Sequence, residues 1–326
     1  MVLLTILISF SYGCKPRTPG TTPEGEGQDV YKGYKGLEME FMKNLPPAKM
    51  YDTTPLNILI DLHNGGTFDL TGRCELYLHG YDTNIIGGLW KTQPCGFLEA
   101  KTKFGNPEGG RDSVEFETDI IQIPEGIDSL PQDFVVTACY EYETLANPVV
   151  CIDPRLYEPV PIERACNAMD VILSGGQGAP VSVDKVEVET MKEKVLFKIH
   201  ITNRGGTTTS TRKILGGTFG SQKKETGRRG TVLSWHSSII DGCPFNLDYE
   251  DYNIVDYDID MTGGSLIRCT PEIDGDRRIR LVDNKGVIYC YFDIYGDSAY
   301  TTPLNIQLNY NYMESISTKV DIIKTP

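Results

Sequence analysis

Leu56, Ile58, Ile60 and Leu62 alternate with Asn57, Asp61 and His63, with Leu59 the one exception. Successive side chains of a β-strand point to opposite faces, so this pattern describes a strand with one buried face. The pattern returns at Val195, Phe197, Ile199 and Ile201, interleaved with Lys198, His200 and Thr202. It returns again at Leu304, Ile306, Leu308 and Tyr310, interleaved with Asn305, Gln307, Asn309 and Asn311. The first two runs end in Asn64-Gly65-Gly66 and Asn203-Arg204-Gly205-Gly206, residues suited to turns. The six letters Thr53–Ile58 recur unchanged at Thr301–Ile306. In both copies a proline is expected at the start of the strand, where its missing N–H is harmless. The repeat is architecture rather than chemistry.

No stretch of ten or more residues carries an apolar stripe at i, i+3, i+4. Two hairpins are expected: one through the turn Asp283-Asn284-Lys285-Gly286, the other with its tip near Asn147-Pro148. The class is therefore all-β, built as sandwiches. At 326 residues the chain exceeds what one core commonly supports, and the Gly-rich stretch Leu173–Val183 reads as a boundary turn. The expected layout is a signal or lipid-anchor segment at 1–14 and a flexible Pro/Gly/Thr-rich linker at 15–33. Two β-sandwich domains come next, at 34–160 and 161–326.

The apolar run from Met1 to Gly13 is too short to cross a bilayer and reads as the hydrophobic part of a signal peptide. Ser11-Tyr12-Gly13-Cys14 is similar to a lipobox, which would place a lipid on Cys14; ordinary secretion is the other reading. Eight further cysteines remain: Cys74, Cys95, Cys139, Cys151, Cys166, Cys243, Cys269 and Cys290. None forms a CxxC pair, so behind a signal segment they read as disulfides of an oxidising compartment. We expect Cys74–Cys95, Cys139–Cys151, Cys166–Cys243 and Cys269–Cys290, although four cysteines per domain allow three connectivities.

Three stretches carry a resemblance: GLEMEFMKNLPPAKMYDTTPLNILIDLHNGG, TACYEYET…VCIDP with SGGQGAPV, and YTTPLNIQLNYNYMESIS. The pattern of an alternating strand with a glycine turn after it resembles immunoglobulin-like and cell-adhesion-related modules of prokaryotic surface proteins. The wider string resembles secreted proteins of small-celled archaea. The resemblance covers most of residues 36–326 and implies tandem immunoglobulin-like β-sandwich domains at a cell surface. It brings no catalytic residues, because none are established for such proteins.

The chemistry-bearing residues point the same way. A formal charge of −14 opposes nucleic-acid binding, which needs an excess of Lys and Arg. No HExxH, GxSxG or P-loop occurs, and SGGQGAP lacks the Lys-Ser/Thr of a phosphate cradle. His63 and His200 are expected on the solvent side of strands, without converging partners for a metal. Asp256, Asp258 and Asp260 have the first three spacings of a calcium loop, but Met261 stands where that loop needs glycine. They are either an unusual Ca²⁺ site or the acidic solvent face of a strand. Basic residues between Arg204 and Arg229, against acids between Asn246 and Asp260, allow head-to-tail self-association. The expected function is non-catalytic: a structural or adhesion protein, lipid-anchored at the cell surface, with other surface proteins or itself as partners. A module binding carbohydrate or another ligand through exposed Tyr and Trp is the alternative.

Overall fold

The computed structural model describes residues 31–158, 164–205, 230–237 and 243–326. Cys14, the signal segment and nearly all of the linker expected from the sequence lie outside these residues. The described chain is all-β, with a single 3₁₀ turn at Tyr249–Asp251 and no α-helix among the described residues.

The last strand, Tyr300–Ile323, runs for 24 residues, about 80 Å at the ordinary rise of an extended chain. Its main partner is Ser129–Ala146, antiparallel along all 18 of its residues, from Ile306 opposite Ala146 to Ile323 opposite Ser129. After Asn147-Pro148 the chain does not turn back. Val149–Ile152 continues along the same partner, with Val149 opposite Pro303 and Ile152 opposite Tyr300. The Pro148 carbonyl still accepts the Leu304 N–H at 2.9 Å, so the corner is a break in the ladder and not a reversal. The hairpin expected there is thus replaced by one long, interrupted strand.

Around this pair the central sheet runs in the order Arg278–Arg280, Ile254–Met261, Tyr300–Ile323, Ser129–Ala146, Cys74–His79, Thr92–Pro94. Lys49–Tyr51, Val149–Ile152 and Thr231–Leu233 add to the last strand as shorter partners. A three-stranded sheet (Leu37–Phe41, Leu56–Asn64, Arg111–Thr118) flanks it. A five-stranded sheet does so too, in the order Val171–Ile172, Val181–Thr190, Lys194–Asn203, Lys285–Ile294, Gly264–Thr270. The two alternating runs at 56–62 and 195–201 are the middle strands of these flanking sheets, with every expected inward residue buried. One contiguous core joins all three sheets. The boundary expected at residue 160 is therefore crossed by the central sheet.

Two local expectations meet tertiary competition. Asp283 and Asn284 do form a tight turn, both at positive φ (51° and 65°), as two-residue turns of this kind require. Its arms nevertheless part, because Arg278–Arg280 joins the central sheet and Lys285–Ile294 the five-stranded one. Pro55 immediately precedes its strand, but Pro303 lies inside one. Leu304 directs its N–H toward Pro148, so the missing N–H of Pro303 faces the opposite side. There the pairing with Ile254–Met261 has already ended at Leu304, so the second copy keeps the expected tolerance by another route.

The disulfides correct half of the expected pairing. Cys74–Cys95 and Cys269–Cys290 are bonded as the sequence suggests. Cys139 bonds Cys243, and Cys151 bonds Cys166. The straight course of 129–152 is the reason: it sets Cys139 and Cys151 on the order of 35–40 Å apart along one line, beyond any disulfide's reach. Peptide mapping of unreduced protein is expected to show the 139–243 and 151–166 cross-links and no free thiol among the eight. Replacing Cys139 and Cys243 by Ala opens a 104-residue span and should cost about 4–5 kcal/mol in the chain-entropy limit, read from the urea midpoint.

Candidate functional site

Tyr140 and Tyr142 stand directly opposite Tyr312 and Tyr310 on the paired central strands. All four rings point to the same face and are fully buried. Neighbouring rings meet at centroid distances of 5.8–6.3 Å in tilted and edge-on arrangements, which favour aromatic packing. A buried hydroxyl also needs a partner, and the four rings find theirs in three flanking segments. Tyr140 accepts from the Leu37 N–H at 3.2 Å and donates to Glu314 at 2.9 Å. Tyr142 donates to the Gly178 carbonyl at 3.2 Å. Tyr310 accepts from the Val181 N–H at 3.1 Å and lies 3.0 Å from the Thr144 hydroxyl. Tyr312 donates to Asn203 at 3.0 Å.

The glycine turns of the sequence supply the roof. A Cβ on Gly36, Gly66 or Gly205 would collide with the hydroxyl of Tyr140, Tyr142 or Tyr312 respectively, and one on Gly230 with the Tyr312 ring. Asn64 and Asn203, which close the two middle strands, are buried and hold the backbone there. Asn64 donates to the carbonyls of Phe68 and Leu98, and Asn203 to that of Gly230. The hydroxyls of Tyr140 and Tyr310 bond different flanking sheets from one face, so both sheets lie on the same side of the central one.

Among the described residues Glu314 is the one buried acid on this face. Burial pushes its carboxyl up to about 8, with Glu38 adding to the rise and the Tyr140 hydrogen bond opposing it. Glu38 itself pairs with Lys35 and with His63 Nδ1 at 3.0 Å, while His63 Nε2 meets the Glu108 carbonyl. His63 is thus held in a structural network. His200 is held likewise by Glu187 at 3.0 Å.

The acidic run does not converge. Asp256, Asp258 and Asp260 lie along one face of Ile254–Met261, and among the described residues no three His, Cys, Asp or Glu are placed to hold a metal ion. Asp256 meets His236 at 2.9 Å and Asp258 meets Arg277 at 2.5 Å. Burial raises the Asp256 carboxyl against the pull of His236 and Arg278. Arg204 is bound to Asp184 at 2.7 Å, and residues 206–229 of the basic stretch lie outside the described residues.

A cleft of about 680 Å³ opens beside the tyrosine roof, walled by Tyr31 and Lys32, Glu143, Leu145–Pro148, Ile172–Ser174, Gly176, Gln177 and Thr67. Neither Trp90 nor Trp235 lines it. Sequence reasoning missed this cleft because its walls come from four separate stretches. Comparison with known protein families and with curated proteins finds no match for this chain.

Glu314 gives a pH test. Its folded-state value lies above the ordinary 4.5, so the folded protein keeps a proton that the unfolded chain releases. The resulting stability is full below about 4.5 and is lost as pH rises toward 8. The unfolding free energy of the parent, from urea titrations, should fall across that window by on the order of a few kcal/mol. Glu314→Gln should flatten the fall and exceed the parent in stability at pH 8.

Proposed function

We propose that this is an exported, non-catalytic structural or adhesive protein of the cell surface. In this reading its two sandwich halves are immunoglobulin-like in character and Cys14 carries the lipid that holds it to the membrane. The observation that carries the reading is the long central strand pair, shared by both halves and covered by both flanking sheets. A hinge between halves would need a linker where few contacts cross. Here a ladder of paired residues crosses instead, which suits a stiff spacer that holds its two ends a fixed distance apart.

The four disulfides support an oxidising location. Cys139–Cys243 anchors the 243–253 segment over the back of the central sheet, where Tyr77, Leu233, Leu247, Tyr252 and Met313 form a second small core. Cys151–Cys166 ties down the chain that leaves the central sheet. Such bridges stabilise chiefly by restricting the unfolded chain, a useful property outside the cell.

The reading is tested by fractionation. Protease added to intact cells should digest the parent protein. The parent should partition with membranes, and Cys14→Ala should move it to the medium. Beads coated with purified protein should attach to the same cells. Retention inside the cell with reduced thiols would overturn the surface assignment, and beads that bind neither cells nor each other would remove its adhesive half.

A further inference from the structure

The cleft lies between two sheet edges that are open among the described residues. On the central sheet, Cys74–His79 pairs with residues 135–140, and the Glu141 N–H bonds the Arg73 carbonyl at 3.1 Å. Among the described residues that bond is the end of pairing on this side. It also fixes the direction of the backbone groups beyond it, because those of a strand alternate between its two edges. Glu141 points away from the last strand, so Glu143 and Leu145 direct their N–H and C=O groups the same way. Both residues line the cleft. Opposite them, Val171–Ile172 is the edge strand of the five-stranded sheet. The Leu173 N–H bonds Asp184 on the inner side, so the Ile172 backbone groups face outward. Ile172 lines the cleft as well.

Three large apolar side chains stand exposed on a rim whose other residues include Lys32, Asn147, Ser174 and Gln177. Leu145 is 55% exposed, Ile172 74% and Tyr31 55%. Unpaired strand edges are templates for another strand, and proteins usually shield them with charge, proline or a covering segment. Here Pro148 ends the edge. Glu143, held by Gln307 at 2.6 Å, is the one acid among the described residues of the cleft wall, and Lys32 is the one base there. The volume is of the size that accepts a short peptide segment.

We propose that this cleft binds an extended segment of a partner protein by strand addition to the Glu143–Leu145 edge. The segment would carry apolar residues at alternate positions and a basic residue beside Glu143. Main-chain hydrogen bonds would give affinity, and the alternate side chains would give selectivity. The protein's own preceding chain is a poor occupant, because residues 15–30 contain three prolines and three glycines, which strands disfavour. A second copy is also a poor occupant. The edge is short, with only Glu143 and Leu145 directed outward before the Asn147-Pro148 corner, and a stable contact between copies needs a larger area.

The probe is an acetylated, amidated peptide of alternating valine and threonine with one central lysine, titrated to millimolar into the full chain labelled with ¹⁵N. Amide signals of Glu143, Leu145 and Ile172 should shift. A twin peptide methylated on alternate backbone nitrogens, with the same side chains, should bind at least tenfold more weakly. Leu145→Pro removes an N–H that faces the cleft and not the ladder, so it should leave the melting temperature unchanged and weaken the peptide at least tenfold. Should that variant misfold, the methylated twin decides. No shift at these amides, equal binding of the twin, or undiminished binding by folded Leu145→Pro would each overturn the proposal. Binding only after removal of residues 1–30 would assign the cleft to the protein's own segment. Dimers abolished by Leu145→Pro would assign it to a second copy. Either result overturns the partner assignment.

Discussion

Four tyrosine hydroxyls buried between the central sheet and its two flanking sheets must all be hydrogen-bonded, and the positions of their partners set the arrangement of the molecule. A phenol left without a partner inside a protein costs a few kcal/mol, so the roof over Tyr140, Tyr142, Tyr310 and Tyr312 cannot be remodelled one piece at a time. Leu37, Gly178 with Val181, and Asn203 come from three different stretches and are brought to one patch of the central sheet. The aromatic rings supply apolar area, and the hydroxyls supply direction. Packing alone would let the flanking sheets slide over the strand pair; the hydroxyl partners fix their position.

This requirement also explains the glycines. Gly66 and Gly205 come just after the middle strands of the two flanking sheets at nearly the same offset, and at both a side chain would occupy the space of a tyrosine hydroxyl. They carry no positive φ, so the need is for space and not for backbone freedom. The two flanking sheets therefore meet the central pair by the same device, a buried asparagine and a bare backbone at the end of a strand. That likeness accounts for the repeated strand-and-turn pattern without calling on a duplicated chemical site.

A continuous strand pair across both halves has a consequence for rigidity. Bending the molecule at its middle would require breaking ladder hydrogen bonds and opening the tyrosine packing together. It leaves two sheet edges facing one another across the cleft, because neither the 129–146 strand nor the 171–172 strand finds a further neighbour there among the described residues. Stiffness and an unfilled edge arise from the same long strand: a ladder this extended outruns the partners available to cover it.

The sequence by itself determined the all-β class, the buried faces of the 56–62 and 195–201 strands, the turn at Asp283-Asn284 and two of the four disulfides. These are local matters, set by period-two alternation, by residues that accept positive φ and by cysteines close in the chain. It did not determine that 129–152 runs straight, since Asn147-Pro148 has the same composition at a reversal and at a break. With that choice went the pairing of Cys139 and Cys151 and the crossing of the expected boundary at residue 160. The tyrosines were visible as letters, but their burial depended on strands separated by well over a hundred residues in the chain. Only the tertiary structure decided these points, because each rests on which distant strand wins a given edge, and that is settled by the packing of whole sheets.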